Sequence, residues 1–382
     1  MKVLFCPSDN NATSGAFLQM VDLIKELVRS YSITPLIVLP SKNGSGKDLL
    51  EAEGLPYVIV AQEDWVIPKE YPFSQKIKKL RKIFKKDIKA FFRLVKLIKK
   101  EQIDVVHLNT IWTFAGGLAA LWCHKKLVWH IREALTLHLS SKIIFPFAFS
   151  LINRADTIVT ISNAVAESYP KLDRQKISVI YDGIDEQKHI NNKDIFGNDI
   201  IKLICIGEIY RQKGQEVLVD ACSLLLKENI KNWHLDLVGD GAVNEIKKKI
   251  TLLNLDPYIS VLGPQKNVHQ FLSQSDIGFT PSWYEGFGRT AAEIAMSGRL
   301  LICSDTGAFP EIYVHKKTAL MHAVASAQSI AEAIKWAFSH PKESKRIAAT
   351  GQKHVLKNFT IKENAKNIYT EYVKLFDERK NT

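Results

Sequence analysis

The sequence predicts an α/β protein of two doubly wound domains, each a parallel sheet with helices on both faces. Three observations carry that expectation. Short apolar runs of strand length alternate with amphipathic stretches of helix length. The alternation lapses once into polar residues, at 185–199, and then restarts. Finally, 382 residues are enough for two hydrophobic cores.

The pattern opens with an apolar run at 3–5, a loop containing Ser14 and Gly15, and apolar positions at helical spacing over 17–27. Strands are expected at 34–39, 57–60 and 104–108, with a helix after Gly46 and a long basic helix before Asp104. Runs at 128–130, 157–161 and 177–180 complete the first set. The stretch holding Asn191, Asn192, Gly197 and Asn198 reads as an interdomain linker. Beyond it, strands are expected at 201–206, 234–238, 259–262, 276–280 and 300–303, and helices at 215–227, 244–253 and 290–296. Residues 361–376 again show helical spacing, so the expected division is 1–187, 188–360 and a closing helix in 361–382. Two such domains facing each other would leave a cleft at the carboxyl ends of their strands, where open α/β sheets bind ligands.

Composition narrows the class. The apolar run at 3–7 is too short for the core of a signal peptide, and no run approaches the ~20 apolar residues of a membrane span, so a cytoplasmic protein is expected. The five cysteines form no C-x-x-C pair, and Cys6, Cys205 and Cys303 lie in apolar runs, as buried thiols do. The net charge of +12 is concentrated: between residues 69 and 100, thirteen Lys or Arg stand against Glu70 and Asp87. That is one basic patch rather than a general coat, and no nucleic-acid-reading motif accompanies it, so nucleic acid is not an expected partner.

Two glycine motifs fail on their details. Gly44-Ser45-Gly46-Lys47 has Ser41 where a phosphate loop needs glycine and Asp48 where it needs Ser or Thr. Gly239-Asp240-Gly241 has Asn244 in place of the third glycine of a dinucleotide fingerprint. The informative stretch is 281–310, in which Glu285 and Glu293 are separated by seven residues. Glu285 falls in a loop after a strand, Gly286 and Gly288 let backbone approach a ligand, and free N–H groups at the start of the following helix suit a pyrophosphate. From spacing alone, an equal alternative is that Glu285 stabilises the helix N-terminus and Glu293 pairs with a lysine.

The segment resembles the E-x7-E motif of the large retaining glycosyltransferase family of group 1, family 4 type, with the GT-B fold. The resemblance extends through ICIGEIYRQKGQEVLVDA at 204–221, LDLVGDGAVNEIKKKI and SDTGAFPEI in the second half, and DVVHLNT, VTISNAVAES and VIYDGID in the first. It implies transfer of a sugar from a nucleotide-diphosphate donor, with retained configuration and without metal or other cofactor. By the same resemblance, Glu293 would hold the ribose hydroxyls and Glu285 the transferred sugar. Phe287, Gly288 and Thr290 would present backbone groups, and Lys213 would contact the diphosphate, where charge builds as the glycosidic bond breaks. The family's arginine after the glycine equivalent to Gly207 is Glu208 here, which leaves Arg211 to supply the second cation; its Gly-Gly in the first loop is Ser14-Gly15, with Gly15 facing donor or acceptor. His130 matches the histidine placed near the reacting sugar. Glu133 is a candidate for orienting the acceptor, although a local ion pair with Arg132 is an equal alternative. His107 is expected to pack at its strand end.

In the basic segment, Ile77, Leu80, Phe84, Ile88, Phe91, Val95 and Ile98 recur at steps of three or four, an apolar stripe expected to cover the sheet beside a solvated cationic face. The functional alternative is an anionic membrane surface contacted through 69–100, with Lys78, Lys79, Lys82, Lys85 and Lys86 carrying the charge, which would place the enzyme at a lipid-linked acceptor in surface polysaccharide assembly. Two other readings stay open: a nucleotide-sugar epimerase of similar fold, and a sugar-nucleotide binding protein without chemistry, for which Glu208 is the best argument.

Overall fold

The computed structural model describes residues 1–138, 140–190, 194–265 and 267–377. Asn191 and Asn192 of the expected linker lie outside these residues. The chain divides into two units, Met1–Gly183 with Ile361–Thr382, and Ile184–Thr360.

In the first unit the strands are β1 (Lys2–Cys6), β2 (Thr34–Leu39), β3 (Tyr57–Ile59), β4 (Val66–Pro68), β5 (Val105–Leu108), β6 (Lys126–Ile131), β7 (Ser141–Ile143), β8 (Thr157–Thr160) and β9 (Ile177–Val179). Among the described residues, seven form one sheet in the order β3-β2-β1-β5-β6-β8-β9, with every pairing parallel. The near-continuous apolar strands are buried on both faces, as parallel sheets require. β4 and β7 form a small antiparallel pair that sequence reading did not anticipate, because three residues are too few to show a period. The closing helix Ile361–Asp377 places Ile361, Ala365, Ile368, Tyr372 and Leu375 in this unit's core, and Tyr369 stacks on Tyr31 of the helix Gly15–Tyr31 at 4.2 Å.

The second unit adds β10 (Ile201–Ile206), β11 (Trp233–Val238), β12 (Ile259–Gly263), β13 (Ile277–Thr280), β14 (Leu300–Ser304) and β15 (Leu320–His322). They pair in parallel in the order β12-β11-β10-β13-β14-β15. Helices such as Gln215–Lys227 and Ala327–Ser339 bury one apolar face each against this sheet. The fold is thus GT-B in class: two parallel-sheet α/β domains.

The basic helix departs from expectation. Phe73–Lys100 is one helix, but its buried line is Ile83, Asp87, Ala90, Leu94 and Ile98. Ile98 of the expected stripe is buried as expected, but the rest of that stripe lies about a quarter-turn around the helix from the buried line, by the ~100° step per residue. There Phe84 and Ile88 stay exposed. Ala90, small enough for close packing, and Asp87, whose Oδ1 accepts from Glu63 N at 3.2 Å, seat the other face. Nor are all the lysines free: Lys79 pairs with Glu63 and Asp64, and Lys86 with Glu63. No helix among the described residues is long and apolar enough to cross a membrane. The five cysteines are free thiols, and burial pushes those of Cys6 and Cys205 up to about 12.

Candidate functional site

In the second sheet the strand order reverses between β10 and β13, and the crevice at such a switch point is where doubly wound sheets bind ligands. The two loops that leave these strands carry Lys213 and Glu285. They meet: Lys213 Nζ lies 2.6 Å from Glu285 Oε1, which also accepts from Ser282 Oγ at 2.8 Å. Backbone bonds fix the approach, with Trp283 N donating to Gln212 O at 2.8 Å and Ala308 N to Glu285 O at 2.9 Å. Gly214 sits between, at φ 75°, and a Cβ there would lie 2.1 Å from Pro281 O. Only glycine lets the loops close this far. Burial works to lower the Lys213 ammonium, but the Glu285 carboxylate beside it, together with Tyr210 and Cys205, raises it on balance, so a cation is held at the switch point.

Arg211 is exposed, its guanidinium 5.0 Å above the Trp283 ring, a cation–π contact that places a second positive charge on the same pair of loops. Glu208 is exposed at the end of β10, and its backbone carbonyl accepts from Gln215 Nε2 at 3.0 Å.

The helix Arg289–Met296 starts after Gly288, whose φ of 82° and position 2.3 Å (from a built Cβ) against the Phe309 ring exclude any side chain. Phe287 is buried, so it can offer a ligand only backbone, and Thr290 lies in the first helical turn. Glu293 is paired with Arg289 at 2.9 Å rather than with a lysine. His189 Nε2 approaches the same carboxylate at 3.9 Å and its ring packs edge-on against His269 at 4.1 Å. Burial, with the charge of neighbouring cations, brings His189 down to about 3, so this contact is with a neutral imidazole.

In the first unit, Gly15 opens its helix with no protein atom within 4 Å of where a Cβ would be. The fold itself makes no use of the missing side chain. His130, on β6, is fully buried; its Nδ1 lies 3.1 Å from His107 Nε2, and His107 Nδ1 lies 2.7 Å from Tyr372 Oη on the closing helix. Arg132 Nη2 also points at His130 Nδ1, at 3.5 Å. A guanidinium can only donate, so Nδ1 must accept and His107 Nε2 must carry hydrogen. His107 Nδ1 then accepts from the Tyr372 hydroxyl, and His130 bears its own hydrogen on Nε2, a buried atom with no partner. Burial and the Arg132 charge hold both imidazoles far below their ordinary value, His107 at about 3.

Arg132 forms its ion pair with Asp182 and bonds Asn109 Oδ1 at 3.0 Å, not with Glu133. Glu133 instead accepts from Thr110 Oγ1 at 3.0 Å and from the Ile111 and Arg132 amides. Burial pushes its carboxyl up to about 7.

Of the residues singled out from sequence, the structure joins Lys213 to Glu285, and separately sets Glu293 beside Arg289 and His189. Gly15, His130 and Glu133 belong to the other unit. Ser282, His189 and Tyr372 were missed; Ser282, three residues before Glu285, was the one with a local signal, while the other two reach their partners only through the fold.

Residues 185–354 match the family model described as glycosyl transferases group 1, and residues 45–188 that described as glycosyltransferase family 4. An Escherichia coli relative, UDP-Gal:alpha-D-GlcNAc-diphosphoundecaprenol alpha-1,3-galactosyltransferase, is 27% identical over 58% of this chain and 62% of its own length, less than two thirds of it. The lipopolysaccharide core biosynthesis mannosyltransferase LpsB of Rhizobium meliloti is 24% identical over 65% of this chain and 79% of its own. Among solved structures, Anabaena HepE in complex with UDP-glucose superposes with a TM-score of 0.80 at 20% identity, covering 98% of this chain and all (100%) of that one.

Proposed function

The chain belongs to the group 1 and family 4 glycosyltransferases, and from that membership we propose that it moves a hexosyl group from a UDP-sugar to a hydroxyl of a lipid-linked glycan in surface polysaccharide assembly. The observation that carries the reading is the Lys213–Glu285 pair at the switch point of the second sheet. In the reaction the bond between the sugar C1 and the diphosphate oxygen breaks, its electron pair leaves on the phosphate, and the acceptor oxygen bonds C1. The acceptor proton passes to the departing phosphate oxygen, giving UDP. Front-face attack of this kind retains configuration and asks no metal of the protein. Lys213 and Arg211 offset the charge that grows on the leaving group, Glu285 holds sugar hydroxyls, and Glu293 holds the ribose. The Gly288 turn and the amides of the first turn after it, including that of Thr290, receive the diphosphate. His130 donates from Nε2 to the reacting sugar, and Glu133 orients the acceptor hydroxyl.

A UDP-linked donor is supported by the UDP-glucose complex of HepE and the donor named for the E. coli relative; the latter's diphosphoundecaprenol acceptor supports a lipid-linked one. The basic helix Phe73–Lys100 fits work at an anionic membrane surface. The test is release of the nucleoside diphosphate, UDP from UDP-glucose and UDP-galactose or GDP from GDP-mannose, by the purified chain in EDTA, with NMR of the product anomer. Selective release that Lys213→Ala strongly reduces is expected. No binding or turnover of any donor would overturn the reading.

A further inference from the structure

A large apolar groove opens on the surface of the first unit. In the first unit, the helix Phe73–Lys100, the helix Ala115–Trp122 and the 145–147 segment enclose a groove of about 950 Å³. Phe84, Ile88, Phe92, Trp122 and Phe147 line it and are 51–66% exposed. Isolated exposed apolar residues are ordinary, but five large ones around a single concavity are not. They rest on an aromatic floor: Phe91 meets Trp122 edge-on at 5.8 Å, and Phe145 stacks on Phe147 at 5.0 Å.

Charge says what kind of molecule fits. Around the basic helix, the buried line of Ile83, Asp87, Ala90, Leu94 and Ile98 is followed by the open apolar stripe of Phe84, Ile88 and Phe91, and then by exposed Lys85, Lys89 and Lys96. At ~100° per residue those lysines form one row beside the groove. Arg154 adds a cation to its lining. An apolar slot with a cationic rim complements an amphiphile with a hydrocarbon chain and a phosphate head. A sugar would find few hydrogen-bonding groups in the slot, and a second copy of this chain would bring the same positive row against itself. Asp87, the one acidic group in the lining, has Oδ2 buried without a partner. Burial pushes its carboxyl up to about 7, so near neutrality it opposes a phosphate only weakly.

We propose that this groove seats the hydrocarbon chain of an anionic polyisoprenyl lipid, holding its phosphate head against the row of Lys85, Lys89 and Lys96. The inference deepens the lipid-linked acceptor reading and rests on it. It differs from simple surface attachment in requiring one chain per molecule in a defined slot.

Farnesyl phosphate, which carries both groups, is the probe, titrated into the full chain by calorimetry. The expected result is saturable binding with one molecule per chain, weakened at least tenfold by Phe84→Ser with Trp122→Ser, and several-fold by exchanging the three lysines for Gln. Farnesol should bind more weakly, and inorganic phosphate should not compete. All five positions are exposed, so melting temperatures should hold; Ile88→Asp is a further groove variant. Binding unchanged in these variants, no binding, or a lipid-free dimer that the groove variants dissolve would overturn the inference. Donor hydrolysis keeps the two readings apart. A chain that turns over a UDP-sugar but ignores farnesyl phosphate loses only the groove, and one that binds the lipid but no donor loses the transferase reading.

Discussion

Tyr372 Oη lies 2.7 Å from His107 Nδ1, so a residue on the chain's last helix reaches the histidine pair on the first sheet. Arg132 donates to His130 Nδ1, the nitrogen that faces His107, and so fixes hydrogen on His130 Nε2; the Tyr372 hydroxyl then supplies the hydrogen that His107 Nδ1 accepts.

Tyr372→Phe removes the hydroxyl and keeps the ring. Stability should fall by about 1 kcal/mol, the worth of one hydrogen bond. The tautomer is the sharper readout: nitrogen NMR should find His130 protonated at Nε2 in the wild type and, because Arg132 still donates to Nδ1, in the variant as well, with any mixture confined to His107, which loses its donor at Nδ1. Protonation at Nδ1 in the wild type would refute the relay.

Lys213→Ala should lower kcat for UDP release by roughly 100- to 1000-fold, the usual cost of losing one group that stabilises a leaving charge. Thermal unfolding should change little, since both side chains retain contact with solvent. Equal losses in stability and rate would make the pair structural.

Glu133, with its carboxyl at about 7, ionises as pH rises through neutrality. If the ionised form holds the acceptor hydroxyl, transfer to acceptor should climb between pH 6 and pH 8, while hydrolysis of donor alone stays flat. Glu133→Gln should flatten the profile and cost roughly 100-fold at the upper end. A profile unchanged by the substitution would remove Glu133 from the acceptor site.

Asp87 tests the linkage of charge to folding. Its carboxyl is raised in the folded chain from 3.8 to about 7, so the folded form binds more protons than the unfolded one between those values. The associated stability is present below the unfolded value and lost as pH climbs through about 7. Asp87→Asn retains an acceptor for Glu63 N and should be more stable than the wild type at pH 8 by about 4 kcal/mol relative to their difference at pH 4, read by urea unfolding. A constant difference would mean that Asp87 is solvated.

Much of this protein was determined by the sequence itself. The alternation of apolar runs placed the strands at 34–39 and 201–206 and the helix at 215–227, because burial against a sheet is decided by side chains a few residues apart. The Glu285 loop and the Gly288 turn were legible for the same local reason. What only tertiary structure decided was partnership across distance: Lys213 with Glu285 over 72 residues, and Tyr372 with His107 over 265. It also decided between two adjacent apolar arcs on one helix. Apolarity alone favours the arc of Phe84 and Ile88, since the other carries Asp87, so only the packing partners, Glu63 among them, could bury the less apolar arc and leave Phe84 and Ile88 to solvent.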